Sequence, residues 1–370
     1  LSNNQQAFLE LVKAGLWEKD ACLLPYGDID FQEIYRLAQE QTVVGLVAAG
    51  LEHVTDTKPP KEVSLQFVGD ALQLEQKNSA MNAFIAVLIE KMRKVDIYTL
   101  LVKGQGIAQC YERPQWRTCG DIDLFLSEDN LNNAKEFLYP ISSTIGEAEE
   151  YKKHYPLEID GWEVELHGNL RSGLWNRVDL TLDIIQNDVF CGGAVRSWMN
   201  GHTQVFLPRV DEDVVFVFSH ILQHFFKEGV GLRQVCDWCR LLWTFRSSIN
   251  RKLLESRIRK MRVLTEWKAF ASLAVNYLGM PADSVPFYSP RLKWTRKAGR
   301  ILSFIIRTGN FGHTNYAEDE PTEAGFKRKL RTLRRLTINN MMLISVFPLD
   351  SVKAWYNMFF YRLNILLKSC

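Results

Sequence analysis

Over the first 97 residues, apolar side chains recur every three to four positions, the period of an amphipathic helix. Phe8, Leu9, Leu11, Val12 and Leu16 mark one such face over 6–16, and Phe31, Ile34, Tyr35, Leu37 and Ala38 mark another over 30–41. A helix over 43–51 follows, and Pro59-Pro60 interrupts the pattern. A long helix over 63–95 is then predicted to pack on a sheet. From residue 98 the pattern shortens. Tyr98 to Val102 reads as a buried strand, and Ile122, Leu124, Phe125 and Leu126 as another. Over 162–167, Trp162, Val164 and Leu166 alternate with Glu163, Glu165 and His167, so the two sets face opposite ways. Asp160-Gly161 joins this strand to the run before it as a two-residue hairpin over 156–167.

The rest of the middle region is less regular. Asp129 is the expected cap of a helix over 131–138. Residues 140–150 read as a loop or weak strand, and 176–187 and 204–207 as irregular structure with an edge strand. From Asp211, read as a cap, helical spacing returns, with helices expected over 232–245, 250–262, 265–278, 290–307, 327–336 and 349–367 and a loop over 309–320. The fold class is α/β (α+β): a small mixed sheet flanked by N-terminal helices and a helical C-terminal domain. Its parts are a helical region 1–97, a core 98–207 and a helical domain 208–370.

Candidate chemistry sits in the core. Asp121 and Asp123 stand two apart in a strand and so project from one face. Carboxylates this close repel unless a cation neutralises them, and hard oxygen ligands suit Mg²⁺ or Mn²⁺. Upstream, Lys103-Gly104-Gln105-Gly106 forms a glycine turn between a strand and a short amphipathic segment, a layout that lets backbone amides approach phosphate. Lys103 and Arg117 bracket it as phosphate-binding cations, with Gly104, Gln105 and Gly120 in the turns. Glu165 is the third carboxylate expected beside Asp121 and Asp123.

These residues resemble the DNA polymerase beta-type nucleotidyltransferase superfamily, with its glycine turn, paired aspartates in an apolar strand and a later glutamate between apolar residues. The fuller pattern resembles a bacterial branch of uncharacterised nucleotidyltransferases: Lys103-Gly104, Arg117, Asp121-Ile122-Asp123-Leu124 and Glu165-Leu166-His167, in that order. The likeness extends to Trp17 and Leu37-Ala38, and to His220, His224, Arg233, Asp237 and Gly309-Asn310-Phe311-Gly312. The resemblance implies metal-dependent transfer of a nucleoside monophosphate from an NTP, ATP being the expected one, to an unknown acceptor hydroxyl with release of pyrophosphate. It departs from the superfamily in the turn, where Gln105 replaces the usual serine or glycine and the spacing to Asp121 is longer.

Composition adds bounds. With 45 basic and 43 acidic residues, the net charge of +2 gives no general pull toward nucleic acid or a membrane. No apolar run approaches a membrane span, and no signal peptide is read at the start. Seven irregularly spaced cysteines read as reduced thiols in a cytoplasmic protein. Cys236-x-x-Cys239 has no second pair and reads as structural.

Several features carry rival readings. His220, His224 and Glu228 share a helical face and could ligate a metal, which gives an alternative phosphohydrolase; as cleft residues they need no metal. His167 is either a partner of Glu165 or a histidine at the core's edge. Arg233 and Asp237 sit at ion-pair spacing on a helix, on the surface or facing the nucleotide. The basic block 326–336 is a solvated amphipathic helix or a polyanion surface, and it lacks the aromatic residues that stack on nucleic-acid bases. Gln105 also leaves open a non-catalytic nucleotide-binding module. The acceptor classes considered are a small molecule, a sugar, a protein side chain or an RNA end, the last least expected.

Overall fold

A computed structural model describes residues 1–149, 151, 153–227, 229–310, 334 and 337–356. Apart from Arg334, the basic block 326–336 lies outside these residues, as do Phe311, Gly312 and Glu228, and the closing helix is described only over 348–356. Four helices come first: α1 (Asn3–Trp17), α2 (Phe31–Glu40), α3 (Val44–Glu52) and α4 (Lys61–Arg93). Ser2 and Gln5 form a reciprocal capping box on α1. α1 and α3 cross in backbone contact, because a Cβ at Gly15 would fall 1.9 Å from the Leu46 carbonyl oxygen and one at Gly50 would fall 2.0 Å from that of Leu11.

The middle region holds β1 (Leu100–Val102), α5 (Gly104–Ala108), β2 (Ile122–Phe125), α6 (Glu128–Leu138), β3 (Thr144–Ile145), β4 (His154–Ile159), β5 (Trp162–His167), α7 (Asn176–Phe190), β6 (Val195–Asn200) and β7 (Thr203–Pro208). The seven strands form one mixed sheet in the order β3-β4-β5-β2-β1-β7-β6. β2 lies antiparallel to β1 and parallel to β5, with Asp123 registered against Glu165.

Alternation gives the sheet two different faces. One carries Leu101, Ile122, Leu124, Val164, Leu166, Leu157 and Val205, and it is sealed by Met81, Ile85, Leu88, Ile89 and Met92 of α4 and by Leu131 and Leu138 of α6. The other carries Asp123, Glu165 and His167, and its Phe125 packs on Phe190 of α7, with ring centroids 4.6 Å apart. Helices α8 (Val210–Lys227), α9 (Leu232–Thr244), α10 (Arg251–Met261), α11 (Leu264–Leu278) and α12 (Leu292–Thr308) follow. They share one hydrophobic core with α1–α3 and α7. Polar contacts join the N-terminal and C-terminal helices: Trp17 Nε1 donates to the Leu278 carbonyl (2.5 Å), partly buried, and Gln41 Nε2 to that of Ile305 (3.0 Å), buried.

Four expectations need correction. Ser127, not Asp129, caps α6, its side chain accepting from the Asn130 amide. Asp211 lies inside the first turn of α8, which begins at Val210. Residues 176–187 are helical, with Val178, Leu182, Ile185 and Val189 on the buried side of α7. β7 is not an edge strand: it pairs with β1, and the added strand β6 takes the edge.

Candidate active site

β1 ends at Val102, and the chain turns sharply into α5. Lys103 adopts φ 56°, ψ −143° and Gly104 φ 39°. A side chain is strained at such a φ, by about 1–3 kcal/mol, and residues held this way cluster at functional sites. The turn points Lys103 onto the acidic face, with Nζ 2.7 Å from Asp123 Oδ1. At Gly104 a Cβ would press within 3.3 Å of Cys119 Sγ, so the turn closes against the strand that carries the aspartates.

Asp121, Asp123 and Glu165 converge as the alternation predicts, their ligand oxygens within 4.8 Å of one another. An all-oxygen set at this spacing fits a hard divalent cation. The electrostatics show the same surplus of negative charge. The Asp121 carboxyl is raised above its ordinary pKa by the charge of Asp123 and then by burial. Burial would lower the Lys103 ammonium, but Asp123, Asp121 and Glu165 outweigh it and raise the group. Burial likewise works against ionised Glu165, yet His154, His167 and Lys103 together hold its carboxyl well below the usual range.

His167 belongs to this cluster: its Nε2 is 2.7 Å from Asp123 Oδ1 and 3.4 Å from Glu165 Oε2. Burial opposes its protonation, but hydrogen bonds to Asp123 and Glu165 prevail and raise its pKa. Glu163 is exposed, and burial with the charges of Glu165, Asp121 and Asp123 raises its carboxyl.

A cavity of ≈ 50 Å³ opens between this face and α8–α9, lined by Lys103, Gly104, Asp121, Asp123, His220 and Arg233 among others. A water needs about 10–15 Å³ of such space, so an ion with a few waters fits and a nucleoside triphosphate does not. Two larger clefts, of ≈ 830 and ≈ 600 Å³, contain none of the expected site residues.

The expected cations divide. Arg117 is buried and committed: Nε and Nη2 grip Asp237 at 2.9 and 2.7 Å, and Nη1 donates to the Thr118 carbonyl at 3.1 Å. The expected pairing of Arg233 with Asp237 along α9 therefore gives way to a pairing across the fold, which Tyr111 reinforces by donating to Asp237 Oδ1 at 2.7 Å. Arg233 donates from Nη1 to Thr118 O at 2.7 Å and keeps a buried Nε with no partner. Burial and the neighbouring Arg117 lower its pKa.

Other expected residues take different places. Gln105 turns away from the cavity: its Nε2 donates to Asn78 Oδ1 at 2.7 Å. Gly120 is exposed, with no atom near the position of a Cβ. His220 lines the cavity, and burial with Lys103 and His224 pushes its pKa well below the ordinary imidazole value. His220 Nε2 lies 3.2 Å from His224 Nε2, but among the described residues neither joins a three-ligand group. Cys236 and Cys239 are buried free thiols, raised by burial.

Two residues were missed by the sequence reading. His154 stands opposite His167 across the hairpin, with Nε2 3.0 Å from Glu165 Oε2. Pairing outward from Asp160-Gly161 leads from Ile159 and Trp162 to this pair, which a hairpin begun at 156 leaves out. Asn78 is buried on α4 and donates to the carbonyls of Gln115 (2.7 Å) and Arg117 (2.9 Å). Its signal was a polar side chain on the same helical face as Ala71, Met81 and Ile85.

Among the described residues no helix is long and apolar enough to cross a membrane. No curated protein and no solved structure matches the chain. A family profile for an uncharacterised nucleotidyltransferase matches residues 27–279, a span that holds β1, β2, β5, α8 and α9 and every residue at the cavity. The chain belongs to this family of uncharacterised nucleotidyltransferases.

Proposed function

We propose that the chain moves a nucleoside monophosphate from an NTP, ATP being the expected donor, to an acceptor hydroxyl and releases pyrophosphate. The observation that carries this reading is the convergence of Asp121, Asp123 and Glu165 beside a cavity that Asp121 and Asp123 line together with Lys103 and Arg233. The three carboxylates would hold Mg²⁺ or Mn²⁺, which neutralises triphosphate charge and lowers the proton affinity of the acceptor hydroxyl. Lys103 has two further ammonium protons for phosphate oxygens, and the unpartnered Nε of Arg233 supplies another donor. The acceptor oxygen bonds to the α-phosphorus as the bond to the bridging oxygen breaks. Pyrophosphate leaves with that electron pair, and the hydroxyl proton passes to the carboxylate cluster. Positioning and electrostatics suffice, without a covalent enzyme intermediate.

The small cavity implies that α8 and α9 move away from the sheet to admit the donor. Residues 98–207 act as the catalytic unit, and the C-terminal helices close the cleft and select the acceptor, a small molecule, sugar or protein side chain. Gln105 leaves the cavity clear, which favours catalysis over a binding-only module.

The test is a reaction with Mg²⁺ and ATP labelled at the α-phosphate, run against a panel of hydroxyl acceptors. Label should enter an acceptor with one pyrophosphate released per transfer, and both should fall by about 100- to 1,000-fold in Asp123→Asn. Orthophosphate as the product, or label transfer undiminished in Asp123→Asn, would contradict the proposal.

A further inference from the structure

The β4–β5 hairpin carries a second set of donors on the acidic face of the sheet. His154 and His167 are cross-strand partners, and their rings stack with centroids 4.9 Å apart. Their Nε2 atoms stand 3.0 and 3.4 Å from the same oxygen, Glu165 Oε2. Atoms that ligate one ion at about 2.0–2.2 Å lie roughly 3–3.5 Å from one another, so both separations match neighbours in a coordination sphere. A hydrogen bond does not account for His154, whose Nε2 is buried without an aligned partner. Its Nδ1 lies 3.8 Å from Glu149 Oε1, too long for a hydrogen bond but on the side where a carboxylate commonly backs a metal-bound imidazole.

We propose that His154, Glu165 and His167 form a second cation position, for a divalent first-row transition metal of the Zn²⁺, Mn²⁺ or Co²⁺ class. Two imidazole nitrogens and one carboxylate favour such ions over Mg²⁺, which prefers the all-oxygen set next to it. Glu165 is common to both sets, and only this neighbourhood rests on the nucleotidyltransferase reading. An ion that takes the Nε2 of His167 also withdraws that nitrogen from Asp123 Oδ1, leaving Lys103 as the contact on that oxygen.

The probe is Co²⁺ alone, titrated into the full chain after chelation and desalting, with visible absorption as the readout. One equivalent should give a saturable d–d band that a large excess of Mg²⁺ leaves in place. Co²⁺ affinity should fall by more than about 100-fold in His154→Gln and His154→Ala, beyond the loss typical of residues behind the ligands. Asp121→Asn should retain the band. No band, a band that survives both His154 variants, or a band lost in well-folded Asp121→Asn would overturn the proposal. Should the His154 variants misfold, X-ray absorption on the wild-type Co²⁺ complex decides: imidazole scattering supports the site and an all-oxygen shell overturns it. Calorimetry with Mg²⁺ and ATP separates the two ideas. ATP binding without a Co²⁺ band sinks the second metal position alone, and a Co²⁺ band without ATP binding sinks the nucleotidyl-transfer reading alone.

Discussion

Two groups of close carboxylates among the described residues are stabilised differently. On the sheet, Asp121, Asp123 and Glu165 face Lys103 and His167 beside a cavity. In the C-terminal helices, Glu266 of α11 sits 1 % exposed near Asp350, with one carboxylate oxygen unpartnered. Arg177 there spends Nη2 on Asp350, 2.5 Å away. Burial and the charge of Asp350 push the Glu266 carboxyl up to about 8, so a proton neutralises this pair. At the sheet, fixed cations do so, and Glu165 stays ionised. Close acids therefore do not by themselves make a metal site. The first cluster keeps its charge against Lys103 and His167, whereas the second is neutralised by a proton.

The largest expected effect tests whether ionic compensation is needed beneath the cavity. Asp237→Asn leaves the Arg117 guanidinium buried without its counter-charge. It should cost about 3–5 kcal/mol in denaturant unfolding. A loss below about 1 kcal/mol would mean that the neutral amide and Thr118 satisfy Arg117.

Asp123→Asn addresses the sheet cluster itself. Pyrophosphate release should fall by about 100- to 1,000-fold, the range for removing one preorganised electrostatic contact. Glu266→Gln should leave the rate unchanged. Equal losses in both variants would erase the distinction between the clusters.

A pH series sharpens the contrast. With its pKa raised, folded Glu266 holds a proton that the unfolded chain has released. The unfolded state thus binds fewer protons between the ordinary carboxyl range and about pH 8, and stability falls as pH rises through that window. Wild-type Tm should drop from pH 5.5 to 8 by more than the Tm of Glu266→Gln, and parallel curves would show that Glu266 ionises as an ordinary carboxylate.

The smallest effect concerns the glycine turn. Gln105→Leu removes the hydrogen bond to Asn78, at a cost of about 1–3 kcal/mol for the buried Asn78 Oδ1 left unpaired. Nucleotide affinity should stay within about twofold. A larger change in affinity would place Gln105 in the phosphate site after all.

The local parts of the site were legible because they depend on local period. Alternation placed Asp121 with Asp123, and Glu165 with His167, and the Asp160-Gly161 turn fixed the hairpin's register. His154 was legible too, but only by pairing outward from that turn past Pro156. The helix α7 was obscured by Asn176, Asp179, Thr181 and Asp183, weak helix formers as numerous as the apolar face of Val178, Leu182, Ile185 and Val189. The Arg117–Asp237 pair could not be read, since its partners lie 120 residues apart and meet only when α9 packs beside α5. Spacing along one helix suggested Arg233 for Asp237, and tertiary packing overrode it.

The central claim is that Asp121, Asp123 and Glu165 together hold a cation that carries a nucleoside triphosphate. The most direct test is calorimetric titration of ATP, with and without Mg²⁺, into the wild-type chain and Asp121→Ala/Asp123→Ala. Binding that requires Mg²⁺ and disappears in the folded double variant is the predicted result. Binding indifferent to both the metal and the substitutions, or no ATP binding by well-folded wild-type protein, would contradict it.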